Sequence, residues 1–479
     1  MRKAFKDVMS LFLGNLGSIL ISLPIVILLA RLLGPSGFGI LSLLLSLRDI
    51  FCVITSLGLG RAALYFLAKE KERRENFGSI FLMRFFLSLV GATLFFSLSP
   101  LFEAYYRIDR FSLYARILSL DIILYGLFLL SLSSLNGLSK FKESAVMNIV
   151  YNFLRVSSVV FVLMGTGLMG AIGGYLFSSF TALLLCSYFL SDVFTFILDK
   201  VKVKKILEYS VPSYSIDVSY MIMNSVPLTI LGLFGSVVVG YFSAASKVVG
   251  VLSLFLNAIV SVGVQRTSSR TDIEGQKEIA KRVTKYSTYA ISLFAFMVIP
   301  FSSQIIRIVF SESFAPATVP LVFLATTLLF RSLSAGPMCY LLGVGKPRIV
   351  TKILLISALL TVILSLLLIP VDPLFGISLT FLIVFCIYSL MFSFSVRFID
   401  YKVIFLRSVL AGGTTIILTK LVVLLLPTVP AIILGGLSGV AVFLTLLYLL
   451  DGFDEYDMRL FYDLFEALKR HSLDLKGKI

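Results

Sequence analysis

The chain has 479 residues, of which 58% are hydrophobic and 14% charged. A soluble domain is about a quarter charged, so this composition excludes an ordinary water-soluble core and turns most of the apolar surface toward lipid. The formal charge of +16 fits either nucleic-acid binding or the cytoplasmic loops of a membrane protein, where Lys and Arg collect.

An apolar helix crosses the hydrocarbon in about 20 residues. Such stretches recur at 8–31, 39–66, 78–102, 112–135, 145–166, 169–196, 209–233, 237–264, 284–309, 317–343, 349–370, 373–398, 404–426 and 429–451. They predict an all-α polytopic membrane protein of about fourteen transmembrane helices. The first run is too long for a signal peptide and lacks a small-residue cleavage site, so it reads as the first span. Turns at Gly165-Thr166-Gly167-Leu168, Phe234-Gly235-Ser236 and Pro370-Val371-Asp372-Pro373 hold no Lys or Arg.

The N-terminus, the even-numbered loops and the tail hold 30 basic residues, against five (Arg31, Arg107, Arg110, Arg116 and Arg307) on the other side. That asymmetry puts both termini in the cytoplasm of a multi-pass cell-membrane protein. It accounts for the charge without nucleic acid. From Asp454 to Arg470, Met458, Phe461, Phe465 and Leu468 recur at helical spacing, which predicts an amphipathic cytoplasmic tail helix.

Several function classes fall away. Cys52, Cys186, Cys339 and Cys386 lie in apolar segments without metal or disulfide spacing, and the single histidine, His471, lies in the polar tail. No catalytic residue or metal is expected. The chain has no Gly-x-x-x-x-Gly-Lys-Ser/Thr phosphate loop, which excludes a nucleotide-driven pump in one chain. The odd-numbered loops are short and carry no acid/base constellation, against a polysaccharide polymerase or ligase.

Leu33 to Ser42 can be laid on Phe234 to Ser243, with Gly34, Gly39 and Ser42 matching at an offset of 201. Gly137-Leu138-Ser139-Lys140 matches Gly343-Val344-Gly345-Lys346 at an offset of 206, and Gly170 matches Gly376. Six spans separate the copies. An even number preserves orientation, so the repeat is parallel. The expected units are an N-lobe of spans 1–6 (1–198), a C-lobe of spans 7–12 (199–400), spans 13 and 14 (401–453) and the tail (454–479).

Charge inside the membrane marks function, because it is costly unless paired or wetted. At about 1.5 Å per residue, Arg48, Arg155, Lys247 and Arg331 fall near mid-membrane. Arg61 and Arg84 lie nearer the cytoplasmic surface, within reach of lipid phosphates. Asp49, Asp121 and Asp217 are the acids at depth, and they are candidates for coupling to a proton or Na⁺. Asp121 with Arg155 and Asp217 with Lys247 are the candidate ion pairs. Asn148 and Asn152 share a helix face with Arg155, Asn224 shares one with Asp217, and Asn257 one with Lys247. These stripes predict a hydrophilic, net positive cavity that suits a phosphate or an acidic sugar. Pro24, Pro212, Pro227 and Pro337, with Gly58, Gly60, Gly232 and Gly250, are candidate hinges.

Ala30-Arg31-Leu32-Leu33-Gly34-Pro35-Ser36-Gly37-Phe38-Gly39-Ile40-Leu41-Ser42 resembles the first helix junction of the polysaccharide transporter family. Ser56-Leu57-Gly58-Leu59-Gly60-Arg61-Ala62 resembles its second helix end. Gly137 to Phe141 and Gly343 to Pro347 resemble its inner loops. This is the O-antigen flippase-like branch of the multidrug/oligosaccharidyl-lipid/polysaccharide (MOP) flippase superfamily. The resemblance implies a transporter that moves a polyprenyl-(pyro)phosphate-linked oligosaccharide from inner to outer leaflet by alternating access, with a cationic lumen. Membrane lipids and the polymerases or glycosyltransferases of polysaccharide synthesis are the partners it implies, without nucleic acid or cofactor. The competing readings are a peptidoglycan lipid-precursor flippase, which also carries lumenal arginines, and a multidrug or cation antiporter, which would favour acidic lumen residues.

Overall fold

The computed structural model describes residues 2–69, 73–195, 200–425 and 428–455, with Asp457 and Arg459. Every regular element among them is helical. Hydrocarbon offers no water to backbone N–H and C=O groups, and a helix satisfies them within one segment. The first half contains α1 (Arg2–Ile54), α2 (Leu59–Ala68), α3 (Arg73–Tyr106), α4 (Phe111–Gly137), α5 (Phe141–Leu154), α6 (Val156–Phe161) and α7 (Gly167–Phe189). The second contains α8 (Lys200–Leu231), α9 (Ser236–Ser268), α10 (Ile273–Val298), α11 (Ser302–Val309), α12 (Thr318–Leu333), α13 (Ala335–Gly343), α14 (Pro347–Leu368) and α15 (Pro373–Ser395). Helices α16 (Tyr401–Leu425) and α17 (Thr428–Leu449) follow.

Ten stretches among the described residues are long and apolar enough to cross a membrane. Two of these cross twice. A straight helix of α1's length would run about 80 Å, more than double the hydrocarbon thickness, and Gly34 (φ 66, ψ 178) breaks it in two. Phe141–Phe189 turns at Gly165 (φ 84) and Gly167 (φ 57), where Ser157 Oγ donates back to the Gly174 carbonyl at 3.2 Å. The pair α10–α11, bent by 74° at its break, and the shorter apolar stretch Leu434–Leu449 complete fourteen spans. Of the candidate hinges, Gly58 (φ 73) marks a break between α1 and α2, and α12 stops at Ser334, three residues before Pro337. Pro24 sits inside α1 without breaking it. The side chain of Pro212 lies outside the described residues.

The two lobes are related by the parallel repeat. Gly34 and its counterpart Gly235 both adopt positive φ, 66° and 112°, which only glycine takes without steric cost. Gly39 lies against the Ser236 carbonyl, and Gly240 against the Pro35 carbonyl, each too close for a Cβ. At an offset of 201, Pro35 corresponds to Ser236 and Gly39 to Gly240. Each lobe therefore offers the other the same patch, as in a two-fold contact. Ser36 Oγ and Ser236 Oγ lie 2.9 Å apart at its edge. The 206 offset is equally visible in hydrogen bonds. Leu138 N donates to Ser134 O at 2.9 Å and Lys140 N to Leu135 O at 2.8 Å; Val344 N donates to Tyr340 O at 2.9 Å and Lys346 N to Leu341 O at 2.8 Å.

The glycine contact seals the end of the molecule where the odd-numbered turns lie. Phe314 reinforces it, meeting Phe38 and Tyr241 at 6.2 and 6.3 Å between ring centroids. Arg31 donates to the carbonyls of Ile308 and Val309 at the C-terminus of α11, where a cation complements the helix dipole. At the other end, the basic face, the lobes meet through the stacked rings of Tyr65 and Tyr209, 4.3 Å apart. After α17 the chain returns to α10, where Lys285 donates to Asp454 at 3.2 Å and to Asp457, and Tyr286 donates to Asp457. The remainder of the predicted tail helix lies outside the described residues.

The serine contact gives a direct test of this closure. In a chain whose four cysteines are replaced, Ser36→Cys with Ser236→Cys should form a disulfide on mild oxidation, because the side chains already approach within bonding reach. Protease cleavage between the lobes followed by a reducing against a non-reducing gel reads it. Halves that separate without reductant would show that the two turns do not meet.

Candidate substrate cavity

A cavity of about 660 Å³ lies between the lobes. Both halves of α1 line it, through Val26 and Leu29 before Gly34 and Leu41, Ser42, Ser46 and Asp49 after it. Tyr175 of α7 completes the N-lobe wall. The C-lobe wall is α8 (Tyr220, Asn224), α9 (Ser243, Lys247, Asn257), α12 (Thr327, Arg331) and α15 (Phe381, Phe385). Two smaller spaces adjoin it. One of about 450 Å³ shares Asp49, Tyr220, Asn224 and Ser225 with it. One of about 240 Å³ shares Tyr220, Asn257 and Arg331. Tyr220 borders all three.

The deep charges sort into paired and unpaired. Arg48 is 5% exposed and bonds Asp49 at 2.8 Å and Asp121 at 2.5 Å, while its guanidinium lies 4.2 Å from the Tyr125 ring centroid. Asp121 is wholly buried, whereas Asp49 is 47% exposed and faces the cavity. Arg61 joins Asp217 at 2.7 Å, tying α2 to α8. Lys247 is exposed to the cavity and has no ion pair among the described residues. Arg331 has only a neutral partner by hydrogen bond, Asn257 Oδ1 at 3.0 Å, and lies 5.8 Å from the Phe385 ring centroid. Arg155 likewise meets neutral groups, Asn152 Oδ1 at 3.2 Å and the Tyr175 hydroxyl. With the buried Arg84, six cations against three carboxylates leave this interior three charges positive.

The structure corrects both expected ion pairs. Asp121 pairs with Arg48 rather than Arg155, and Asp217 with Arg61 rather than Lys247. Residue depth along a helix sets height in the membrane, but not which neighbour the side chain faces. Arg84 is also corrected. It does not reach lipid phosphates; it is 3% exposed. Between α1 and α2 the Ser56 amide turns back to Val53 O instead of Cys52 O. Arg84 takes up the freed Cys52 carbonyl at 3.1 Å and the Gly126 carbonyl at 3.3 Å. A buried cation here caps a helix end with its partial negative charge.

The polar stripes divide similarly. Asn224 on α8 and Lys247 and Asn257 on α9 line the central cavity, and Asp217 lines the 450 Å³ space. On α5, Asn152 donates to the Asn148 carbonyl at 2.9 Å. Asn148, Asn152 and Arg155 do not border the central cavity, and Tyr175 carries Arg155's influence to its wall. Ser246 and Ser253, which the stripe reading passed over, also line it. They sit three residues after Ser243 and Gly250, a spacing that marks the same helix face.

Similar proteins have this architecture. The fold resembles that of the lipid II flippase MurJ in an inward closed conformation, at 16% identity and a TM-score of 0.78, covering 91% of this chain and 97% of that one. It also resembles a multidrug resistance MATE family transporter of the MOP superfamily in an inward-facing conformation, at 17% identity and a TM-score of 0.62, covering 81% of this chain and 95% of that one. Two parallel lobes around a charged cavity are thus the fold that this chain shares with these solved structures. The chain belongs to the polysaccharide biosynthesis protein family, which it matches over residues 4–264. An uncharacterised membrane protein of Methanocaldococcus jannaschii is 28% identical over 400 residues, 79% of this chain and 94% of that protein.

Breaking a buried pair strands a charge, which costs about 3–5 kcal/mol. Asp121→Leu should therefore lower the melting temperature in detergent sharply, and Arg48→Met in the same chain should restore most of it. The partly exposed Arg61–Asp217 pair should show a coupling of at most about 1 kcal/mol in a double-mutant cycle. Additive losses for Arg48 and Asp121 would mean that the two do not hold each other.

Proposed function

We propose that this chain is a flippase that moves a polyprenyl-(pyro)phosphate-linked oligosaccharide from the inner to the outer leaflet of the cell membrane by alternating access. The basic face is then cytoplasmic, as the 30-to-5 division of basic residues favours. The observation that carries the reading is the pair Lys247 and Arg331. Both line the cavity and neither has a carboxylate partner among the described residues. An uncompensated cation in a wall between lobes is costly and is offset when an anionic group enters. Arg331 is suited to holding phosphate oxygens through two parallel bonds, and Lys247 adds a point charge. The family of polysaccharide biosynthesis proteins supports a glycan on the carrier.

A peptidoglycan lipid-precursor flippase is the second reading, and likeness to a lipid II flippase favours it. It uses the same charge logic with a different headgroup. An antiporter for organic cations is disfavoured by the positive wall. Asp49 is the acid best placed for coupling to a proton or Na⁺, since it alone of the three is nearly half exposed to the cavity.

The test is flipping in reconstituted vesicles, with a fluorescent polyprenyl-pyrophosphate oligosaccharide and an external quencher. A charge-assisted hydrogen bond is worth about 1.5–3 kcal/mol, so Lys247→Ala and Arg331→Ala should each slow protein-dependent exposure by about tenfold or more. Lys247→Arg should keep most of it. Efflux of an organic cation against a proton or Na⁺ gradient, with no lipid exposed, would transfer the case to the antiporter. Asp49→Asn should remove any dependence of flipping on the ion gradient while leaving insertion intact.

A further inference from the structure

The 450 Å³ space beside the central cavity has a chemistry of its own. It arises because span 2 is broken. Leu57 (φ 43) and Gly58 (φ 73) separate α1 from α2, and the space opens between them, α4 and α8. The corresponding helix of the C-lobe, α9, runs unbroken, and the space between it and α12–α13 measures about 240 Å³. The enlargement therefore belongs to one lobe only.

Its lining offers no excess positive charge to hold phosphate: Arg61 neutralises Asp217, and Arg84 offsets the extra carboxylate of the Arg48 group. Asp49 and Asp217 both face it. Arg48 answers two carboxylates, so that group keeps a net negative charge. Both bonds from Arg48 to Asp49 end on Oδ1, which leaves Oδ2 as an acceptor where the two spaces join. Arg84 borders the space, but its donors go to the carbonyls of Cys52 and Gly126 and the Thr55 hydroxyl. Ser56 and Ser133 donate to Val53 O and Leu129 O; Ser56 Oγ accepts from the Gly58 amide at 3.5 Å, and Ser133 Oγ is left as an acceptor. The rings of Tyr125 and Tyr220 stand in the same wall. Carboxylate and hydroxyl acceptors beside aromatic faces suit the hydroxyls and C–H face of a sugar, and the volume lies within the range of about 300–1,000 Å³ typical of small-molecule sites.

We infer that this side space is a glycan subsite. It receives the uncharged sugar next to the pyrophosphate while Lys247 and Arg331 hold the phosphates, so the excess positive charge on the C-lobe wall alone fixes the orientation of the substrate. The inference rests on the flippase reading.

Cysteine protection tests it in the full-length protein in nanodiscs, with the four native cysteines replaced. Ser133→Cys and, independently, Ser56→Cys report on the side space, and Ser253→Cys on the central cavity. Two probes are compared, a polyprenyl pyrophosphate bearing a neutral disaccharide and the bare polyprenyl pyrophosphate. At ten times its Kd the glycan-bearing probe should slow maleimide labelling by about tenfold at all three positions. The bare lipid should slow it at Ser253→Cys alone. Equal protection of the side space by the bare lipid would overturn the assignment, since pyrophosphate or chain would then sit there. Protection by the glycan probe at Ser253→Cys without any at Ser133→Cys or Ser56→Cys would also overturn it. If neither probe protects any position, the flippase reading itself fails.

Discussion

A hydrocarbon solvent that bonds to nothing is the constraint on which the rest of this structure depends. It forces every described span to be helical, and it dictates where helices can break. Two of the breaks are covered by protein. Cys52 O, freed between α1 and α2, is taken by Arg84. Just after Gly34, Pro35 and Gly39 lie against the repeat-related Gly240 and Ser236. The same constraint governs charge. A cation at membrane depth must find a carboxylate, a helix end or water, and Arg48, Arg84 and Lys247 show one solution each.

The three solutions divide the protein into scaffold and site. Arg48 and Asp121 are almost fully buried and bond each other, so they contribute a fixed N-lobe wall. Lys247 and Arg331 are left with neutral neighbours on the C-lobe wall. Asp49 stands between, bonded to Arg48 on one oxygen and open to the cavity on the other side. The cavity is therefore polarised from lobe to lobe. A ligand with a phosphate at one end and hydroxyls at the other finds a single favourable direction in it.

Much of this was legible in the sequence, and the limits are physical. Span number and the turn positions follow from apolar length and glycine, which act locally. The repeat was visible at Gly34/Gly235 and Gly137/Gly343 because a positive φ or a close backbone approach admits no other residue cheaply. The stripes on α8 and α9 were legible because a helix face is a one-dimensional property. Ion pairing was not. Asp121 lies 73 residues from Arg48, and its pairing there, not with Arg155, depends on how α1 and α4 are rotated against each other. Arg84 was misplaced for a related reason: the Cys52 carbonyl it caps is free only because span 2 breaks at a point that apolar periodicity does not mark.

The two ends of the molecule are closed by different physics. The Gly39/Gly240 contact is backbone against backbone, admits no Cβ on either side and involves no charge. It has no partly opened form, because separating the lobes by one atomic diameter loses the whole fit. The basic face is held by side chains that water reaches, with Arg61 and Asp217 exposed by 40% and 33%. Such a pair is screened and weak, and it can part and re-form while the helices behind it stay intact. This conformation therefore yields at its basic face first. The opposite face parts only when the lobes turn as rigid bodies, so the two-fold glycine contact is all-or-none while the basic face can part gradually.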